Sequence, residues 1–145
     1  MTIRELNNRL KSIDLQYMKE EAVFQNRDKI ADLNKEQLHQ GLTSKGTSIT
    51  PFYRKRWYAQ FKASLPSYEA PNNVPDLYLN GDFYNGIDVE IADNEYNVYS
   101  KDEKADDLSA KYRDILGLSK KNIETARQIV TKTFVTLMKR KLFNN

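Results

Sequence analysis

Ile3, Leu6, Leu10 and Ile13 recur at spacings of three and four, which predicts an amphipathic helix over residues 3–15 with Thr2 as its N-cap. A second helical pattern over residues 16–40 carries Met18, Ala22, Ile30, Leu33 and Leu38. Asn26 and Asn34 weaken it and mark where it could break, and Gly41 ends it. The run GLTSKGTSIT then reads as a loop with a short extended piece at residues 47–50, and Pro51 keeps Thr50 out of the helical region. Trp57, Phe61 and Leu65 recur every four residues and predict a short helix with that face turned inward. PSYEAPNNVP holds three of the chain's four prolines and is expected to be an irregular exposed connection.

Strict alternation begins at Ile87. Ile87, Val89 and Ile91 are apolar and Asp88 and Glu90 between them are charged, the signature of a half-buried strand. A tight turn is expected at residues 93–95, with YNVYS returning as a second strand that places Tyr96 and Val98 on one face. Residues 103–113 have helical spacing through Ala105, Leu108 and Tyr112, and DILGLS is a short apolar link. Ser119 caps a last helix reaching about Leu142, whose stripe is Ile123, Ala126, Val130, Phe134, Leu137 and Met138. These elements predict a single α+β domain over residues 1–145. A small antiparallel sheet, the hairpin at about 87–100, packs against the long C-terminal helix, with N-terminal helices beside it. Residues 1–33 form an N-terminal helical segment and residues 34–145 the α+β core.

Composition narrows the chemistry. The 145 residues suit one domain with a real core. The absence of cysteine removes disulfides, thiol nucleophiles and cysteine-based zinc sites. No apolar run is long enough to span a membrane, and no secretory signal is visible. Net charge is +3, but its distribution is uneven: residues 41–65 carry five cations and no carboxylate, residues 66–118 four cations and twelve carboxylates, and residues 119–145 seven cations and one carboxylate. Such blocks neutralise one another within a fold or offer complementary faces to neighbouring copies.

Three candidate constellations stand out. The basic–aromatic run FYRKRWYAQFK puts Arg54, Lys55 and Arg56 beside Phe52, Tyr53, Trp57 and Tyr58, a pattern suited to phosphates and base stacking. Helical spacing, however, assigns Trp57 and Phe61 to the core. Asp76, Asp82, Asp88 and Glu90 cluster in sequence, but Ala92 stands where a nuclease pattern ending in carboxylate-x-lysine needs its lysine, and a solvated strand face accounts for Asp88 and Glu90. His39, the single histidine, ends a helix with no nucleophile beside it, and no G-x-S-x-G motif or glycine-rich phosphate loop occurs. No enzymatic activity, metal or cofactor is expected.

The segments KEQLHQGLTSKGTSITPFY, PDLYLNGDFYNGIDVEI and YNVYSKDEKADDLSAKYRDILGLS, followed by a final helix, resemble a family of small virion proteins of phages and prophages of Bacteroidetes, crAss-like phages included. The middle segment is similar to the Leu-x-x-Thr-Gly-x-Leu signature of tail-completion, or head–tail connector, proteins. The resemblance covers roughly residues 34–130. By position it brings in Gln37, Leu38, Gly41 and Gly46, then Leu79, Gly81, Asp82, Phe83 and Tyr84, then Gly117 and Leu118. Asn80 stands where threonine is usual, with an amide able to mimic the hydroxyl's hydrogen bond. The resemblance implies a structural protein of the virion, assembled in the host cytoplasm. Copies form a ring at the head–tail junction, against portal and tail or other neck proteins, around a channel of packaged DNA that they contact without reading sequence. Leu79, Gly81, Asp82, Phe83 and Tyr84 are then a turn motif or subunit interface: Gly81 allows the bend, Leu79 and Phe83 anchor it to the core, and Gly86 releases the chain into the strand. Arg54, Lys55 and Arg56 are the candidate interface or DNA contacts. The rival reading is a nucleic-acid-binding regulator using residues 52–62.

Overall fold

Helices and a hairpin form where the hydropathy pattern puts them. The computed structural model describes residues 1–92 and 95–143. Helix α1 (Ile3–Lys11) begins at a capping box: Thr2 Oγ1 accepts from Glu5 N–H and Glu5 accepts from Thr2 N–H. It stops before Ile13 because Ser12 turns its hydroxyl onto Arg9 C=O and Asp14 caps the next helix, α2 (Leu15–Gln25). The long helical pattern breaks at Asn26, whose side-chain amide donates to Ala22 C=O and Thr133 Oγ1. Helix α3 (Arg27–His39) follows without a break at Asn34 and closes with Gly41 at φ +74°. Leu42 N–H reaching back to Gln37 C=O completes that closure.

Helix α4 (Arg56–Ser64) is present, but its orientation reverses the expected one. Trp57 is 65% exposed and Phe61 45% exposed, while Ala59 and Lys62 are buried. The small-residue side of the helix lies inward because Lys62 finds an acidic partner there. The connection over residues 66–75 is irregular, as its prolines require, but it is not exposed. Ala70, Val74 and Pro75 are buried, and Tyr68 Oη donates to Pro71 C=O and Val74 C=O.

Helix α5 (Asp82–Asn85) is a single turn that leads into β1 (Ile87–Ala92), paired antiparallel with β2 (Glu95–Ser100). Val89 faces Val98 and Ile91 faces Tyr96. Of the expected turn at residues 93–95, positions 93 and 94 lie outside the described residues. Helix α6 (Ala105–Lys111) and helix α7 (Lys120–Phe143) complete an α+β fold. Helix α7 packs along α2 and, less extensively, α3 and α1.

The main core gathers Leu38, Ile49, Val74, Phe83, Tyr84 and Ile115. A second cluster of Val23, Ile30 and Ala126 joins α2, α3 and α7 beneath the hairpin. Asn34 and Gln37 bind α3 to the link before α7. Asn34 donates to Ile115 C=O and accepts from Gly117 N–H; Gln37 donates to Gly117 C=O and accepts from Ser119 N–H.

Candidate functional site

The turn that leads into β1 is built by side-chain hydrogen bonds to its own backbone. Asp76 Oδ1 accepts from Tyr78 N–H at 3.1 Å, and Asn80 Oδ1 accepts from Asp82 N–H at 3.1 Å. The Asn80 side chain thus closes the turn on its own backbone. Gly81 adopts φ +87°, a conformation that a β-carbon resists. Gly86 has an ordinary negative φ; its role is close approach, since a β-carbon there would lie 2.8 Å from Asp102 N and Ser100 Oγ. Phe83 and Tyr84 are buried, whereas Leu79 is 64% exposed and anchors nothing in the core.

Beneath the turn sits the most buried charge in the fold. Lys62 Nζ lies 2.7 Å from Asp76 Oδ1, with side chains 2% and 0% exposed. Lys62 also donates to Tyr78 C=O, and Tyr84 Oη donates to Asp76 C=O. The pair pins α4 to the turn. Burial, reinforced by the Asp76 charge, pushes the phenols of Tyr53 and Tyr84 far above their ordinary range. Tyr58 and Tyr68 are raised mainly by burial as well, so the ring of tyrosines around Asp76 stays protonated. His39 meets Tyr84 edge to face, with ring centroids 4.6 Å apart, at the end of α3.

Between α4 and the turn runs an open groove of about 760 Å³. It brings the two sequence motifs together: Arg54 and Lys55 from the basic–aromatic run line it with Leu79, Asp82 and Phe83 from the turn. Arg56 does not line it; it lies on a neighbouring depression with Gln60 and Asn72, whose rim Arg54 shares. Tyr84 faces the core and does not line the groove. Helix α6 and the residue before it contribute two cations that the sequence reading missed, Lys111 and Lys104. The apolar floor includes Phe52, 49% exposed, and Trp57. The acidic lining is Asp82 and Asp102, and Asp102 Oδ2 is buried with no hydrogen-bond partner among the described residues. The groove is thus a cationic rim around exposed aromatic rings.

The clustered carboxylates take separate roles. Asp76 holds Lys62, Asp82 accepts from the Asn80 amide, and Asp88 pairs with Lys101 at 2.9 Å. Among the described residues no three His, Cys, Asp or Glu side chains converge as a metal site would require. Lys62 was visible in the sequence only as one more charge in a basic run. The signal that could have set it apart is its place beside Ala59 and Ala63, on the small side of α4.

Comparison with protein-family models, with curated proteins and with solved structures finds no match to this chain.

Proposed function

We propose that the chain is a structural virion protein whose copies assemble into a ring at the head–tail junction of a tailed phage, with the groove between α4 and the turn as a subunit contact. The observation that carries this reading is the union of the two motifs in one open groove with uncovered aromatic anchors. A contiguous exposed apolar surface with a polar rim is the anatomy of an interaction site. Trp, Tyr and Arg are the residues that dominate binding energy in such sites. A ring requires contact between unlike surfaces. The cationic groove has an unlike counterpart in the same chain: Glu103, Asp106 and Asp107 are exposed and lie outside it. Portal, tail or other neck proteins are the further partners, and packaged DNA the passing neighbour.

Trp57 is the only tryptophan, so its emission reports directly on the groove. On this reading it shifts to shorter wavelength as the purified chain self-associates with rising concentration, and particles made without the chain lack a joined tail. A chain that stays monomeric at all concentrations, and whose loss leaves joined particles, would sink the proposal.

One observation favours a second reading. Trp57 and Phe52 are exposed beside Arg54, Lys55, Lys104 and Lys111, an arrangement that also suits stacked bases and phosphates. A nucleic-acid-binding regulator of this kind would bind single-stranded DNA as a monomer, quench Trp57 and lose affinity steeply with salt.

A further inference from the structure

Helix α7 carries charge in a pattern that its own stability does not explain. Lys120 and Lys121 stand in its first turn, where the helix dipole disfavours cations, and no carboxylate accompanies them there. Glu124 is the last carboxylate side chain in the sequence, and Arg127 holds it at 3.1 Å. Near the other end, Arg140 and Lys141 share a depression with Asp14 and Glu21. Lys121, Lys132 and Lys139 have no such neighbours: each is exposed, and none pairs with a carboxylate among the described residues.

These three lysines are eleven and seven positions apart, close to three and two whole turns at about 3.6 residues per turn, so they form one row. The row lies on the side of α7 turned away from the buried Ala126 and spans about 27 Å of helix axis. Exposed Gln128 and Thr136 sit between its lysines. Such a row matches a rigid polyanion. Protein interfaces take aromatic and arginine anchors and are depleted in lysine. A membrane-surface helix gives its apolar side to lipid, but α7 packs that side on α2 and α3, and Val135 is the only large apolar side chain exposed along the row among the described residues. Lysines with amide and hydroxyl neighbours, and with no aromatic ring among them, contact phosphates without stacking on bases. That suits a duplex, whereas single strands are held by stacking.

We propose that the outer face of α7 binds the phosphate backbone of double-helical nucleic acid without reading its sequence, with Lys121, Lys132 and Lys139 as the contacts. This goes beyond the groove contact proposed above, since it needs neither self-association nor the α4 groove. In the proposed ring it turns α7 toward the passing DNA and leaves Arg54 and Lys55 to the contact between subunits.

Fluorescence anisotropy of a labelled, mixed-sequence DNA duplex with the full chain at low salt tests this. Binding is expected to be indifferent to sequence and to leave Trp57 emission unchanged. It should weaken with salt at a log–log slope of about −3, roughly −0.9 for each phosphate neutralised. Lys121→Gln, Lys132→Gln and Lys139→Gln together change exposed positions, keep the fold by circular dichroism, and are expected to weaken binding roughly tenfold or more. Each single replacement should reduce the slope by about 1. Lys19→Gln with Arg113→Gln, exposed cations on other parts of the chain, should stay within about threefold of the parent. Unchanged binding by the triple variant, or no binding by the parent, overturns the inference. So does an equal loss from Lys19 and Arg113, which would make net charge the cause, or quenching of Trp57, which would place the nucleic acid in the α4 groove. Binding to anionic phospholipid vesicles that a duplex cannot displace would overturn it too. A chain that stays monomeric yet binds duplex through these lysines would remove the groove contact and leave this inference standing.

Discussion

Lys62 and Asp76 meet at 2.7 Å, both withdrawn from solvent, and this contact sets the direction in which α4 faces. Turning the helix to bury the amine leaves Trp57 outside. Removing one partner of a buried pair leaves the other uncompensated, at a cost of about 3–5 kcal/mol. Lys62→Met and Asp76→Asn are each expected to lower the unfolding free energy by that order, seen as an earlier denaturation midpoint. The double variant should cost clearly less than the sum of the two, with a coupling of roughly 0.5–3 kcal/mol. Chemical denaturation of the four proteins tests this; purely additive losses would show that the two side chains act independently.

Gly86 faces backbone that has little room to yield. A methyl group there meets Asp102 N and Ser100 Oγ at 2.8 Å and Lys101 N at 3.1 Å. Gly86→Ala is expected to destabilise the chain by about 1–3 kcal/mol, the usual range for overpacking. Gly46→Ala is the contrast: nothing lies within 4 Å of its added carbon, so only the cost of its positive φ remains, about 1–2 kcal/mol. Equal midpoints for Gly86→Ala and the parent would contradict the close approach.

Asn34, itself buried, holds two backbone groups, the buried Ile115 C=O and the half-buried Gly117 N–H, at 3.0 and 2.9 Å. Asn34→Leu strands both and is expected to cost about 1–3 kcal/mol for each group left unpaired. Hydrogen exchange at Gly117 should rise with it. Unchanged protection at that amide would show that another group holds it.

Asp88 supplies a pH signature. Its hydrogen bond to Lys101 is the main influence holding the carboxyl below its ordinary value of 3.8, with the Val89 amide adding to it against a smaller effect of burial. Near pH 4 the unfolded chain therefore binds more protons at this position than the folded one, so the pair's stabilisation is complete above 3.8 and disappears as pH falls through the folded value. On the alkaline side the Lys101 ammonium, raised above 10.5 by Asp88, contributes below 10.5 and is lost as pH rises through its folded value. Asp88→Asn should flatten both limbs of a stability-versus-pH profile. An acid limb identical to the parent's would remove Asp88 from the explanation.

The cations of the α4 groove differ in position, which gives an internal control. Arg54 and Lys55 line it and Arg56 does not. Arg54→Glu with Lys55→Glu is expected to weaken self-association on the order of tenfold or more at low salt, and less at high salt; Arg56→Glu should stay within about threefold. Sedimentation equilibrium distinguishes these outcomes. A larger effect from Arg56 would move the contact to the other side of α4.

The elements that local chemistry determines were legible in the sequence. Thr2, Gly41 and Ser119 mark helix ends through backbone hydrogen bonds that need no distant partner. Strict alternation from Ile87 to Ile91 left no other register for β1. The orientation of α4 was not legible, because hydropathy spacing assumes that large apolar groups face inward. Here a single ion pair with Asp76, beyond the proline-rich connection, outweighs Trp57 and Phe61. The burial of residues 70–76 was hidden for a related reason: prolines and asparagines signal irregular backbone, and irregular backbone can still be packed once Tyr68 and Tyr53 satisfy its carbonyls. The motifs at residues 54–55 and 79–83 could each be read from the sequence, but their sharing of one groove is a tertiary fact.

The amide stitching between α3 and the 115–119 link has a bearing on biogenesis. Four of its hydrogen bonds join residues eighty or more positions apart. A ribosome that has released only the first three helices has therefore made Asn34 and Gln37 without the groups they were placed to hold. Those helices acquire these bonds only once residues 115–119 have been made, so the tie between α3 and the start of α7 closes late in synthesis.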